Sequence, residues 1–317
     1  MKGYKMDNVN IFFAADRTYL PYLGVSIYSI SEHAVTDREY NLTVLTTDMT
    51  DDSLAVLNKF TKPNIKIHIR NVESEISYLR KHIAPTLRDY YSEAIFYRIL
   101  IPGLFPDIEK AVYLDSDTVA CRDVADLYDT ELDGYLLAAV TDETVIGESV
   151  FCKYVENYVG IDDAEEYFNS GVLVMNLSAM RRERTCEKLI DMMENFSFKT
   201  VAPDQDYLNF LCQGRVKYLH PLWNKHPILY ENEQTDEDVF IMHYNMFYKP
   251  WHYFGVVNER LFWKTAACTP FITELLRERN EYTDEQRASD LGSAAELLHC
   301  AEELAGSHEG FASLLCT

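Results

Sequence analysis

Basic residues are scarce in this chain: 29 Lys and Arg stand against 51 Asp and Glu over 317 residues, a formal net charge of −22. A field of that sign repels nucleic acid and anionic membrane, and it leaves any anionic ligand in need of a metal or a local basic group. Paired cysteines are lacking as well. The seven cysteines (Cys121, Cys152, Cys186, Cys212, Cys268, Cys300 and Cys316) are scattered, with no Cys-x-x-Cys pair, which reads as reduced thiols rather than a disulfide framework or a zinc site. No uncharged apolar run approaches the ~20 residues that span a bilayer. The approach to Asn10-Ile11-Phe12-Phe13, interrupted by Asp7, is too short and wrongly flanked for a signal peptide. The expectation is a cytoplasmic protein without a transmembrane segment. Internal repeats and low-complexity linkers are absent too, and the first apolar run is not followed by G-x-G-x-x-G, so a Rossmann-type dinucleotide fold is not supported.

What is present is an aromatic-rich chain, with 22 Tyr and 16 Phe, long enough to bury one large α/β domain with or without an appendage. Strand-like runs at Val9–Ala15, Tyr40–Thr47 and Ile65–Val72 alternate with helical stretches at Leu20–Ser31, Asp51–Phe60 and Ser92–Leu100, the last stopped by Pro102-Gly103. That order predicts a mostly parallel sheet with helices on both faces. Further strands are expected at Gly134–Thr141, Gly171–Leu177 and Asp238–Tyr244, and helices at Arg181–Asn195 and Gln205–Cys212. Composition shifts after about Thr265: Thr273 to Ala305 is rich in Glu, Leu and Ala and reads as two or three amphipathic helices. We therefore divide the chain into residues 1–265 and a helical appendage, 266–317.

The apolar run Ala111-Val112-Tyr113-Leu114 ends in Asp115-Ser116-Asp117. In extended chain, residues i and i+2 share a side, so the two carboxylates converge, and the cation that relieves their repulsion is Mg²⁺ or Mn²⁺ by ligand type. A solvated acidic turn is the alternative. Other clusters carry similar alternatives. Phe168-Asn169-Ser170-Gly171 precedes an apolar run and is either a ligand-facing strand entry or a simple turn. In Pro203-Asp204-Gln205-Asp206 both acids suit a helix start, Asp204 as N-cap, whereas Gln205 gains nothing from capping. His243 is a structural residue unless the fold brings it beside Asp115 and Asp117. Lys249, next to Pro250-Trp251, either meets a phosphate or packs over Trp251.

Taken in order, these segments resemble glycosyltransferase family 8, with matches running from Val9 to Trp251, about three quarters of the chain. The resemblance implies a GT-A fold and retaining transfer of glucose or galactose from a UDP-sugar, with Mn²⁺ or Mg²⁺, to a saccharide or glycolipid acceptor, as in lipopolysaccharide or surface-polysaccharide synthesis. It implies that Ala14, Ala15, Asp16 and Tyr19 form the first nucleotide loop and that Arg98 holds the donor. Asp115, Ser116 and Asp117 become the metal motif, with His243 as third ligand. Asn169 and Ser170 touch the donor sugar, and Asp204, Gln205 and Asp206 lie beneath the anomeric carbon. Asp142 matches the acceptor-side Asp of some members, and Lys249 meets the diphosphate. One departure stands out: Met246 occupies a position where the family usually has Gly. A catalytically silent UDP-sugar-binding protein, a self-glucosylating protein like glycogenin and a nucleotidyltransferase are the alternatives; for the last, the Gly-rich basic triphosphate loop is missing. Homo-oligomerisation and peripheral placement at the inner membrane face are left open by the sequence.

Overall fold

Apolar runs without polar alternation predict strands covered on both faces, and each central strand divides its side chains accordingly. Ile11 and Phe13 enter one buried cluster and Phe12 the other; Val112 and Leu114 oppose Ala111 and Tyr113; Val172 and Val174 oppose Leu173 and Met175. The computed structural model describes residues 8–83, 92–196, 198–228, 238–307 and 309–316; the first seven residues, where a signal peptide would start, lie outside the described residues.

The strands are β1 (Val9–Ala14), β2 (Tyr40–Thr46), β3 (Ile65–Asn71), β4 (Lys110–Leu114), β5 (Thr118–Ala120), β6 (Leu137–Thr141), β7 (Phe168–Asn176), β8 (Val216–Tyr218) and β9 (Ile241–His243). Seven of them form one sheet in the order β3-β2-β1-β4-β7-β6-β8, and β5 pairs with β9 in a small second sheet. Parallel pairing joins β1 to β2 and β4, β2 to β3, and β6 to β8, while β7 runs antiparallel to both β4 and β6. This is the mixed, mostly parallel α/β sheet of the GT-A fold that the sequence predicts. Because β2 lies on one side of β1 and β4 on the other, a crevice opens at the carboxyl ends of β1 and β4, where ligands bind in open α/β sheets. The late strand, expected over Asp238–Tyr244, is confined to β9 and belongs to the small sheet.

Several boundaries differ from expectation. The helix expected over Ser92–Leu100 opens as a 3-10 turn at Glu93–Phe96 and continues as Tyr97–Leu104, straight through Pro102. Ile101 and Pro102 are buried there, and that packing offsets the ~3 kcal/mol cost of an interior proline. β7 begins at Phe168 rather than Gly171, so Asn169 and Ser170 are strand residues. The carboxyl-terminal region forms two helices, Ile272–Glu281 and Asp284–Ala305, and the second buries Leu297, Ala301 and Leu304 in the same cluster as β7 and the helix Pro203–Cys212.

The single helix expected over Arg181–Asn195 is two, Leu177–Arg182 and Thr185–Asn195, broken at Arg184 with φ 55°. Its side chain is 70% exposed, so backbone conformation dominates the site. Glycine enters this left-handed region freely and β-branched residues do not. Arg184→Val is therefore expected to be less stable than Arg184→Gly by about 1–2 kcal/mol, read as a shift in urea midpoint at unchanged slope; coincident midpoints would remove the backbone explanation.

Candidate active site

The chain leaves β4 at Leu114 and turns at Ser116 and Asp117 before entering β5. The two carboxylates thus converge through a turn, not through the alternation of an extended strand. Three ties fix that turn. The Ser116 hydroxyl donates to Ala14 O at 3.1 Å, joining the ends of β4 and β1. The Asp115 amide donates to Gly171 O at 2.8 Å, because antiparallel β7 places its start beside the end of β4. The Tyr244 amide donates to Asp117 O at 3.0 Å, and β9 pairs with β5 so that His243 stands opposite Thr118. The fold therefore brings His243 to the acid pair, as the metal reading requires.

Each carboxylate divides its two oxygens. Asp115 Oδ1 accepts from Arg98 Nη2 and from the Tyr113 hydroxyl, both at 2.9 Å, and Asp117 Oδ2 accepts from Lys249 Nζ at 2.5 Å. The other two oxygens face His243 Nε2, Asp115 Oδ2 at 3.7 Å and Asp117 Oδ1 at 3.2 Å. Asp117 Oδ1 is buried and has no hydrogen-bond partner among the described residues. Burial opposes ionisation of Asp117, but the Lys249 ammonium beside it outweighs that and holds its carboxyl below the usual carboxylate range.

A chain of buried amides sets which nitrogen of His243 faces these oxygens. The Gly171 N–H can only donate, so Asn169 Oδ1 accepts it (2.9 Å), along with Asn224 Nδ2 (2.9 Å), while Asn169 Nδ2 donates to Asp142 Oδ2 at 2.9 Å. Asn224 Oδ1 is then left to accept from His243 Nδ1–H at 2.9 Å. In the neutral ring with its proton on Nδ1, the Nε2 lone pair points at two carboxylate oxygens, an arrangement that calls for a cation between them. One oxygen from each Asp and one imidazole nitrogen, within 4.8 Å of one another, form the one such three-residue group among the described residues. This donor set fits a divalent cation, with an amide orienting the imidazole from behind.

A cleft of about 330 Å³ runs from this centre along the end of β1, lined by Ala14, Ala15, Asp16, Tyr19, Arg98, Asp115, Ser116, Asp117, Met246 and Lys249. A second cavity of about 180 Å³, sharing Arg98, Asp115, Asp117 and Met246 with the first, is lined by Asp142, Asn169, Ser170, Asp204, Gln205 and His243. The expected site residues are thus brought together, Asp206 excepted. Two side chains two apart on a helix point about 200° apart, so with Asp204 facing the cavity Asp206 faces the core. It is fully buried and accepts from the Tyr154 and Tyr167 hydroxyls, each at 2.7 Å.

Several roles also shift. Asp204 is not an N-cap: Pro203 opens the helix, and Asp204 lies 3.1 Å from Arg98 Nε. Burial raises the Asp204 carboxyl although Arg98 pulls the other way. Arg98, only 3% exposed, spends its guanidinium on Asp115, Asp204, Ser170 and Ile95 O, so it positions acids. The β6–β7 ladder shifts register between Ala139 and Val140, and beside that shift the Ser170 N–H donates to Gln205 Oε1 at 2.8 Å. Gln205 Nε2 donates to Asp142 Oδ2 at 3.0 Å, so a structural task explains Gln205 as well as a ligand does. Lys249 combines both expected environments, on Asp117 and 5.6 Å from the Trp251 ring centroid. Met246 has φ 57°, a backbone that suits the Gly expected there by resemblance. Asn224 was not singled out in the sequence, nor was Asp290, which reaches the first cleft from the helix Asp284–Ala305.

A Cβ at Gly171 would collide with the His243 ring and Asp115 Oδ2. Gly171→Ala is expected to weaken Mn²⁺ binding roughly tenfold or more by calorimetric titration, and unchanged affinity would count against this centre. Burial lifts the Asp206 carboxyl to about 6, partly offset by its tyrosine donors. A raised folded-state value means that the folded protein binds the proton more tightly, so this group's stabilisation is full below the unfolded value near 3.9 and is lost as pH rises toward 6. Asp206→Asn is expected to flatten the fall in unfolding free energy between pH 4 and 6 relative to the parent chain, by up to about 3 kcal/mol across that window; parallel profiles would refute the assignment.

The profile of glycosyl transferase family 8 matches residues 10–255. A putative glycosyltransferase of Haemophilus influenzae is 30% identical over 233 residues, 73% of this chain and 65% of its own length, so the chain spans just under two thirds of that relative. A lipopolysaccharide 1,2-glucosyltransferase of Escherichia coli K12 is 25% identical over 81% of this chain and 77% of its own length. Among solved structures, the galactosyltransferase LgtC, in complex with donor and acceptor sugar analogues, superposes with a TM-score of 0.68 at 26% identity, covering 86% of this chain and all of LgtC. The bifunctional glycosyltransferase WbbM shares the fold, with a TM-score of 0.71 at 24% identity over 89% of this chain and 53% of its own. On the profile match, which covers most of its length, the chain belongs to glycosyl transferase family 8.

Proposed function

We propose that this transferase moves a hexose, glucose or galactose, from a UDP-sugar to a saccharide or glycolipid acceptor with retention of configuration, in surface-polysaccharide or lipopolysaccharide assembly. The observation that carries the proposal is the divided acid pair: Asp115 and Asp117 each keep one oxygen on a fixed protein cation and turn the other toward His243 Nε2. The cleft beside it also contains Asp16 and Asp290, while Arg98 and Lys249 are already paired with carboxylates. Alone, such a cleft repels a diphosphate. Mn²⁺ or Mg²⁺ held by Asp115, Asp117 and His243 would supply the charge neutralisation that a leaving diphosphate needs. Lys249, with a third N–H beyond those on Asp117 and Tyr244 O, adds a cationic donor to the same end of the cleft.

In this reading Asp16 and Tyr19 receive the uracil. Oδ1 of Asp16 caps the turn at Thr18 and Tyr19, and its Oδ2 meets the Ser92 hydroxyl at 3.2 Å, which sets the carboxylate edge at the cleft wall. The sugar occupies the second cavity above Gln205, Asn169 and Ser170, with Asp142 on the acceptor side. Positive charge developing on the anomeric carbon is met by the Asp204 carboxylate and the Gln205 carbonyl. Residues 1–265 would supply this machinery, and 266–317 would add wall residues such as Asp290. No helix among the described residues is long and apolar enough to cross a membrane. No disulfide joins the six cysteines whose side chains are described, which suits a reducing, cytoplasmic setting with a glycolipid reached from the inner membrane face.

The test is a screen of UDP-sugars with Mn²⁺, following UDP release with and without saccharide acceptors. Asp115→Ala and Asp117→Ala are expected to abolish turnover, and near-native rates in either would sink the proposal. Gln205→Ala is expected to slow turnover on the order of 100-fold while changing UDP affinity less than about threefold; collapse of UDP binding instead would make Gln205 a nucleotide-binding residue.

A further inference from the structure

Met246 stands where the two cavities meet and lines both. The residue is 41% exposed, whereas the other methionines whose burial is described (Met49, Met175, Met180, Met192, Met193 and Met242) are at most 9% exposed and serve the core. Its backbone lies at φ 57°, in the left-handed region, which a residue with a Cβ enters at a cost in stability. Glycine would take that conformation freely. A long side chain in an unfavourable backbone state beside a binding site motivates a functional reading of that side chain.

The segment that carries it is firmly held. Tyr244, two residues before, donates its amide to Asp117 O at 3.0 Å, and Lys249, three residues after, anchors on Asp117 Oδ2 and Tyr244 O. A backbone anchored on both sides thus presents an unbranched thioether with three rotatable bonds at the rim shared by a polar nucleotide cleft and the sugar cavity. Such a side chain can lie over a bound molecule, removing water from its surface, and swing aside to let it leave.

We propose that Met246 is a movable apolar cover over the junction of the two cavities, which keeps water from the reactive carbon of a bound nucleotide-sugar so that the sugar passes to an acceptor hydroxyl. The inference rests on the nucleotide-sugar reading above. The side reaction it suppresses is hydrolysis: the water oxygen bonds to the anomeric carbon, the bond from that carbon to the phosphate oxygen breaks, its electron pair leaves with the diphosphate, and the proton from water passes to solvent. Excluding the water removes the nucleophile without touching the acceptor route. Met246 is here a specificity-determining residue, acting on which nucleophile is admitted.

The experiment compares Met246→Leu, Met246→Ala and Met246→Gly for UDP-sugar hydrolysis with Mn²⁺ and no acceptor, alongside UDP affinity by calorimetry. Both small variants are expected to hydrolyse donor roughly tenfold faster at saturating donor, and the Leu variant to stay within about threefold of the parent; the measured UDP affinities set the donor concentration at which each variant is compared. A change in Met246→Gly alone would assign the effect to the backbone and overturn the cover, as would unchanged hydrolysis in both small variants. A second readout needs no variant. In the parent chain, peroxide oxidation of the exposed Met246 sulfur is expected to slow when UDP-glucose or UDP-galactose is added with Mn²⁺. Unprotected Met246 in a chain that binds UDP overturns the cover alone, whereas failure to bind UDP with Mn²⁺ overturns the nucleotide-sugar reading and the cover with it.

Discussion

Two carboxylate oxygens and an imidazole lone pair aimed at one point in a mostly buried site repel one another, and a chain free to relax would part them. Here each is held from behind. Arg98 and Tyr113 grip Asp115, Lys249 grips Asp117, and Asn224 grips His243. The grips have anchors of their own: Arg98 reaches Asp204, and Asn224 reaches Asn169, Asp142 and through it Gln205. The centre and the floor of the sugar cavity are therefore one hydrogen-bonded body. Partial networks of this kind are costly, because every buried polar group left unmatched bears its desolvation penalty alone, and among the described residues this one is open where Asp117 Oδ1, Asp115 Oδ2 and the imidazole nitrogen face one another.

Much of this is legible in the sequence because it depends on local pattern. An apolar run ending in Asp-Ser-Asp marks a buried strand that delivers acids to the edge of a sheet, and β4 does so. The Phe-Asn-Ser-Gly run marks a place where backbone must pass close to something, and the missing Cβ of Gly171 leaves room for His243 and Asp115. The α/β order follows from run lengths and breakers, and the central strands fall within a few residues of expectation.

What escapes the sequence is set by partners far away along the chain. Strands of three residues, β5 and β8, carry no periodicity of their own and exist because they pair, and although a late strand is expected around β9, its place in a separate small sheet is not. Asn224 is a single amide at the end of a one-turn 3-10 helix, Pro221–Asn224, and its importance appears only when His243 and Asn169 arrive on either side. The helix through Pro102 and the break at Arg184 invert the usual signals, since tertiary packing and a left-handed residue without glycine override local preference. Asp206 is different: a helix starting at Pro203 already sets it on the face opposite Asp204, so helical geometry alone separates a cavity acid from a core acid.

The pairing of β5 with β9 also bears on how the protein is made. Asp115 and Asp117 emerge early in synthesis, whereas His243 and Lys249 follow far later, and β9 cannot add to β5 until then. A nascent chain thus carries the two acids without their third donor. Cation capture of the kind proposed becomes favourable only once that last small sheet closes. The centre would then mark closure of the small sheet, and a chain stalled before residue 241 would carry Asp115 and Asp117 without His243 or Lys249.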